Sequence, residues 1–167
     1  QGLRFDYLTF DEEYGKVPRF WFELDRLGQK AVGEVPANFR VWARRPACKS
    51  HRAEHSSHRV DNIVTHSPTF YGQSWRKMVI KDTTRGKCIW QVKSAQVYLV
   101  KHKDGKAYCP VPTERSYWLV VAKNPGTGET KYFISNAPSS ESLSTLMLIA
   151  FARWHVEKWF ERVKQEC

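Results

Sequence analysis

The opening thirty-five residues constrain the fold most. "LRFDYLTF" (Leu3–Phe10) is a mostly apolar, aromatic-rich run of the kind that forms a buried strand. It ends at Asp11, in "DEEYG". Pro18 suits the first turn of a helix, "RFWFELDRL" continues it, and Gly28 is well placed to follow its end. "AVGEV" (Ala31–Val35) reads as a second short strand, closed by Pro36. Strand, helix and strand with short links make a βαβ unit, normally right-handed with parallel strands. Parallel sheets need both faces covered, so these two strands are expected to need central partners that the chain does not contain. Asp11 falls at the carboxyl end of the first strand, the edge where open α/β sheets bind ligands.

Past that unit the pattern changes twice. From about Asn38 to His66 the sequence, including "RRPACKSHRAEHSSHR", is basic, polar and His-rich, and reads as a loop. Period-two alternation then returns. "RKMVIKD", "CIWQVKSAQVYLVK", "SYWLVVAK" and "KYFISN" read as strands, with turns at "TTRGK", "KDGK" and "NPGTGE". The serines of "SNAPSSES" offer N-caps for a final helix. The chain thus divides into a βαβ segment (1–37), a basic loop and antiparallel β-rich insertion (38–136), and a helix that returns to the first segment (137–167).

That helix carries charge on its apolar side. With about 100° of turn per residue, Leu143, Leu146, Met147, Ile149, Ala150, Trp154, Phe160 and Val163 fan out around the direction of Glu157. Lys158, Arg162 and His155 point the other way. Arg153, Glu157, Glu161 and Lys164 all point into the apolar arc, which an ordinary surface helix keeps free of charge. Two readings stand. One is an internal ladder, Arg153 with Glu157 and Glu161 with Lys164. The other is a site, because a buried carboxylate is costly unless it is paired or holds a metal.

The formal net charge of +10 favours a polyanionic partner, nucleic acid being the commonest, although a ribosomal or membrane-surface role fits the charge as well. No apolar run is long enough to span a bilayer, and no signal peptide is visible. Cys48, Cys88, Cys109 and Cys167 have no C-x-x-C spacing, as expected of a reduced, cytosolic protein. The start at Gln1 and the stop at Cys167 inside a helical pattern suggest a piece of a longer protein.

"DEEYG", the helix after it, Val35–Pro36, "YFISNAP" and "RWHVEKWFERVKQE" together resemble the DDE transposases of bacterial insertion sequences, in the branch with a Tyr, Arg, Glu, Lys signature helix. The resemblance covers nearly the whole chain and is strongest at its two ends. It implies an α/β fold: part of a ribonuclease-H-like core, made of the βαβ unit and a C-terminal catalytic helix, interrupted by the β-rich insertion. It implies that Asp11, followed by Tyr14 and Gly15 at the family's spacing, is the second catalytic acid and that Glu157 is the third. Arg153, four positions before Glu157, and Lys164, seven after it, match the signature; the signature Tyr falls at Ala150. The family's first Asp lies upstream of its second. Asp6, mid-strand, is a poor substitute and reads as structural, so the fragment is expected to be inactive alone.

The implied chemistry suits these residue types. Two divalent ions, Mg²⁺ or Mn²⁺, about 3.5–4 Å apart, serve in-line phosphoryl transfer and are held by carboxylates. Asp11 and Glu157 are the expected metal ligands, and Arg153 and Lys164 the groups facing DNA phosphate. The partners implied are double-stranded DNA, as transposon ends and target, and a second copy of the protein on that DNA, in a bacterial, nucleoid-associated setting with no membrane. Trp42, Trp90 and Trp118 read as β core, and Trp75, after a Gly-Gln-Ser loop, as the exposed aromatic for stacking on an unpaired base. Cys48, His51, His55 and His58 have tight spacing but no second Cys pair, so a basic loop is favoured there over zinc. The rival readings are a non-catalytic basic DNA-binding domain or decayed transposase remnant, and another ribonuclease-H-like nuclease.

Overall fold

The computed structural model describes residues 5–46, 57–83, 86–102 and 110–153. Strand β1 (Leu8–Phe10) leads into a one-turn helix α1 (Glu12–Gly15) and then α2 (Pro18–Arg26), with Pro18 in its first turn and Gly28 just past its end at φ +66°. β2 (Ala31–Val35) returns parallel to β1, with Phe10 opposite Gly33. The βαβ expectation therefore holds. The first strand is shorter than expected, and Asp6 lies in a bend before it rather than mid-strand.

The region expected to be loop is structured at both ends. β3 (Arg40–Trp42) pairs with β4 (His58–Arg59), and two short helices follow, α3 (Val60–His66) and α4 (Pro68–Tyr71). The physical reason is burial: Val41, Trp42, Val60, Ile63 and Phe70 are all core residues. Val60 and Ile63 lie one helical turn apart, a signal hidden among the flanking polar residues.

Four longer strands match the alternating runs: β5 (Arg76–Thr83), β6 (Gly86–His102), β8 (Tyr117–Lys123) and β9 (Thr130–Ser135), with a short β7 (Pro110–Pro112) on β6. The nine strands among the described residues form one sheet, in the order β1-β2-β9-β8-β6-β3-β4, with β5 and β7 also paired to β6. Among the described residues only β1–β2 is parallel and every other pair is antiparallel. The partner β2 was expected to lack is thus β9, from within the β-rich stretch, and the sheet runs unbroken across residue 38.

Both faces of the sheet are covered, which makes this a mixed α/β protein built on one large mixed sheet. On one face Trp21 and Leu24 of α2, with Val60, Ile63 and Phe70, pack on Val97, Leu99, Leu119 and Val121. On the other, a final helix α5 (residues 143–153, where the described residues end) lays Leu146, Met147 and Phe151 on Val32, Trp90, Val92, Val120 and Phe133. Among the described residues no helix is long and apolar enough to cross a membrane.

The "SN" of "YFISNAP" joins β9 to the start of β2. The Asn136 side chain accepts from the Ala31 amide (2.7 Å) and donates to the Gln29 carbonyl and to Asp25 Oδ1 (both 2.9 Å). Ser135 Oγ donates to the Ala31 carbonyl (2.7 Å). Asp25 also accepts from Arg115 (3.0 Å) and from the Tyr117 hydroxyl. Burial, and then the Asp25 carboxylate, push the Tyr117 hydroxyl pKa well above its usual value, so it stays a donor. Buried polar groups are tolerable only when satisfied in this way.

Candidate functional site at the carboxyl end of β1

Asp11 is placed by close packing. It caps α1, and α1 lies against β2 at Gly15, where an added Cβ would sit 1.8 Å from the Glu34 carbonyl oxygen. The fully buried Trp21 fastens this turn: its indole Nε1 donates to the Gly15 carbonyl at 3.0 Å, and its ring packs on Phe10 at 5.0 Å. "DEEYG" is therefore a tight turn held by its neighbours, whatever its chemical role.

The Asp11 carboxylate is not tightly held. Oδ1 accepts from the Tyr14 amide at 3.4 Å, and Oδ2 meets the Arg153 guanidinium, also at 3.4 Å. The two side chains are 35% (Arg153) and 37% (Asp11) exposed. α5 thus returns across the sheet to the end of β1 and brings together two predicted site residues from opposite ends of the chain. Arg153 reaches Asp11; its pairing with Glu157 in the ladder reading falls outside the described residues. Glu157 and Lys164 lie outside the described residues.

Sequence reasoning missed a second ion pair at this edge. Glu34 accepts from Lys131 at 2.8 Å, with Glu129 3.6 Å from the same ammonium. Burial works against the charged Lys131, but the two carboxylates outweigh it and hold its pKa above the usual lysine value. The available signal was a charged residue breaking the apolar run "AVGEV". On the other face, beside α1, a cleft of about 680 Å³ is lined by Lys16, Phe39, Arg40 and His102 among others.

Hard divalent ions take carboxylate oxygens, often only one or two of them, with water completing the shell. The exposed carboxylate of Asp11 suits such an ion as one ligand. Among the described residues no three His, Cys, Asp or Glu side chains converge. Of the zinc candidates, His58 is exposed in β4, and Cys48, His51 and His55 lie outside the described residues.

Trp75 is not brought to Asp11. It precedes β5, five strand positions from β1, which is roughly 24 Å at the usual strand spacing. It is 36% exposed, and the buried Lys93 sits 4.8 Å from its ring centre while donating to the Phe70 carbonyl at 2.8 Å. Trp42 and Trp90 are core, whereas Trp118 is only partly buried and donates to the Pro138 carbonyl. If Trp75 stacks on a nucleic-acid base, Trp75→Ala will weaken binding of a labelled single strand by about 1–3 kcal/mol and leave the melting temperature nearly unchanged. A large fall in melting temperature with unchanged binding would mark it as a cover for Lys93 instead.

Neither protein-family models nor curated proteins give a match to this sequence.

Proposed function

We propose that the chain is catalytic-domain sequence of a DDE-type insertion-sequence transposase, which cuts transposon ends and transfers the strands into target DNA by Mg²⁺- or Mn²⁺-dependent phosphoryl transfer. The observation that carries this reading is the approach of Arg153 to Asp11. It lays α5, whose described part ends four positions before Glu157 in sequence, over the strand end that carries Asp11, and the proposed chemistry needs two acids distant in sequence there. The βαβ unit and α5 are read as part of a ribonuclease-H-like core. Among the described residues β1 pairs only with β2, and its outer edge is where that core's remaining strands, with the first catalytic Asp, belong.

Asp11 and Glu157 would hold the divalent ions, which when bound activate the attacking oxygen and stabilise the leaving one. Arg153 and Lys164 would take phosphate oxygens, and the +10 net charge supplies the general attraction to DNA. The test is Asp11→Asn in the full-length protein. Asn still caps a helix, so α1 is retained. Mg²⁺-dependent cleavage of a duplex carrying the element's end is expected to fall at least about 100-fold, with DNA binding kept. Cleavage at the normal rate by the folded variant would refute the assignment. A wild-type protein that binds such DNA but never cuts it would favour a non-catalytic DNA-binding domain.

A further inference from the structure

Far from Asp11, one face of β5, β6 and β8 carries positive charge with no counter-charge. Lys93 of β6 lies opposite Val121, on the side of the sheet that packs against α2. On that same side Lys77, Gln91 and Lys123 stand in one row across the three strands, which sets Lys77 and Lys123 about 10 Å apart at the usual strand spacing. Helical cover reaches Lys93 with α4, where Lys93 donates to the Phe70 carbonyl and Gln73 to the Ser94 carbonyl. Past that row Lys77 and Lys123 are exposed, and so is the apolar cross-strand pair Val79 and Ile89. Elsewhere lysine and arginine find carboxylates, as Lys16, Arg59 and Lys131 do; among the described residues Lys77, Lys93 and Lys123 form no ion pair. For the buried Lys93 that is costly.

We propose that this face is a docking track for single-stranded nucleic acid, on which Lys77 and Lys123 take backbone phosphates, a base stacks on Trp75, and Lys93 positions the Trp75 ring. The Lys93 ammonium lies 4.8 Å from the ring centre, so it occupies one face of the indole and leaves the other to a base. Attraction between a cation and a ring face holds such a ring in place, which gives the unpaired charge a use. Single-strand sites combine a stacking aromatic with a positive track that follows the backbone. Charge alone would suit an acidic peptide equally; the partly exposed ring beside the lysines favours bases. The track does not rest on cleavage chemistry, and a non-catalytic nucleic-acid-binding protein would use it in the same way.

The experiment titrates labelled oligothymidylate into the full-length protein and its variants across a salt series in EDTA, so that cleavage plays no part. Lys77→Gln with Lys123→Gln is expected to weaken binding about ten- to thirty-fold at roughly 0.1 M salt, and to flatten the salt dependence by roughly 0.7 in logarithmic slope for each lysine. Arg44→Gln with Arg45→Gln removes the same charge from exposed positions off this face and is expected to do much less. An equal loss there would show attraction to overall charge and overturns the track. Lys93→Met is expected to weaken binding about three- to ten-fold with the salt dependence unchanged, because Lys93 meets the ring and not a phosphate. On top of Trp75→Ala it should add nothing; an undiminished loss in that background refutes the positioning role. Should Lys93→Met fail to fold, the Lys77 and Lys123 variant, altered only at exposed side chains, still decides the track. Polyglutamate is expected to compete poorly, and competition as strong as that of unlabelled oligothymidylate would overturn the choice of nucleic acid in favour of an acidic protein.

Discussion

Glu157→Gln in the full-length protein is expected to reduce Mg²⁺-dependent cleavage of an end-containing duplex by about 10³-fold or more, equivalent to roughly 4 kcal/mol of lost transition-state stabilisation. The substitution keeps the side chain's size and removes its charge. In the sequence Glu157 falls at the centre of the apolar arc expected of a final helix, and Arg153, four positions earlier, reaches Asp11. DNA binding rests mainly on basic contacts to phosphate, which the change leaves in place. The ladder reading predicts the opposite pattern: normal cleavage per folded molecule and a lower melting temperature. Cleavage, duplex binding and melting are to be followed on one preparation. Wild-type cleavage by a folded Glu157→Gln protein would sink the mechanism.

Gly15→Ala is expected to have the largest effect on stability. The added methyl would lie 1.8 Å from the Glu34 carbonyl oxygen and 2.9 Å from its carbon, both backbone atoms that cannot swing aside. α1 must then lift from β2, straining the Trp21 bond to the Gly15 carbonyl. Overpacking of this kind costs about 3 kcal/mol, which for a chain of this size lowers the melting temperature by roughly 6–12 °C. Asp11 moves with α1, so cleavage at a temperature where the variant is folded should fall as well. An unchanged melt would show that the α1–β2 contact is looser than its geometry implies.

Glu34 and Lys131 show where local reading stopped. Glu34 interrupts an apolar run, and nothing nearby in sequence explains it. Its partner comes from a strand nearly a hundred residues away, through the β2–β9 register that sets Glu34 opposite Phe133. Asn136 is similar: it stood out only as part of a family-like motif, while its work is to satisfy polar groups around the start of β2.

By itself the sequence determined what local physics can encode. Pro18 and Gly28 delimit α2, alternation marks β5, β6, β8 and β9, and Asp11 follows directly from a strand of apolar residues. These features depend on backbone preference and on side chains a few positions apart, so they can be read without knowing the rest of the fold. Only the tertiary structure decided that β9 partners β2, that Val41, Val60 and Ile63 pull a polar stretch into short elements, and that Arg153 faces Asp11. Those outcomes depend on burying apolar surface between segments remote in sequence. That free energy is shared by the whole sheet, and no short window of residues records it.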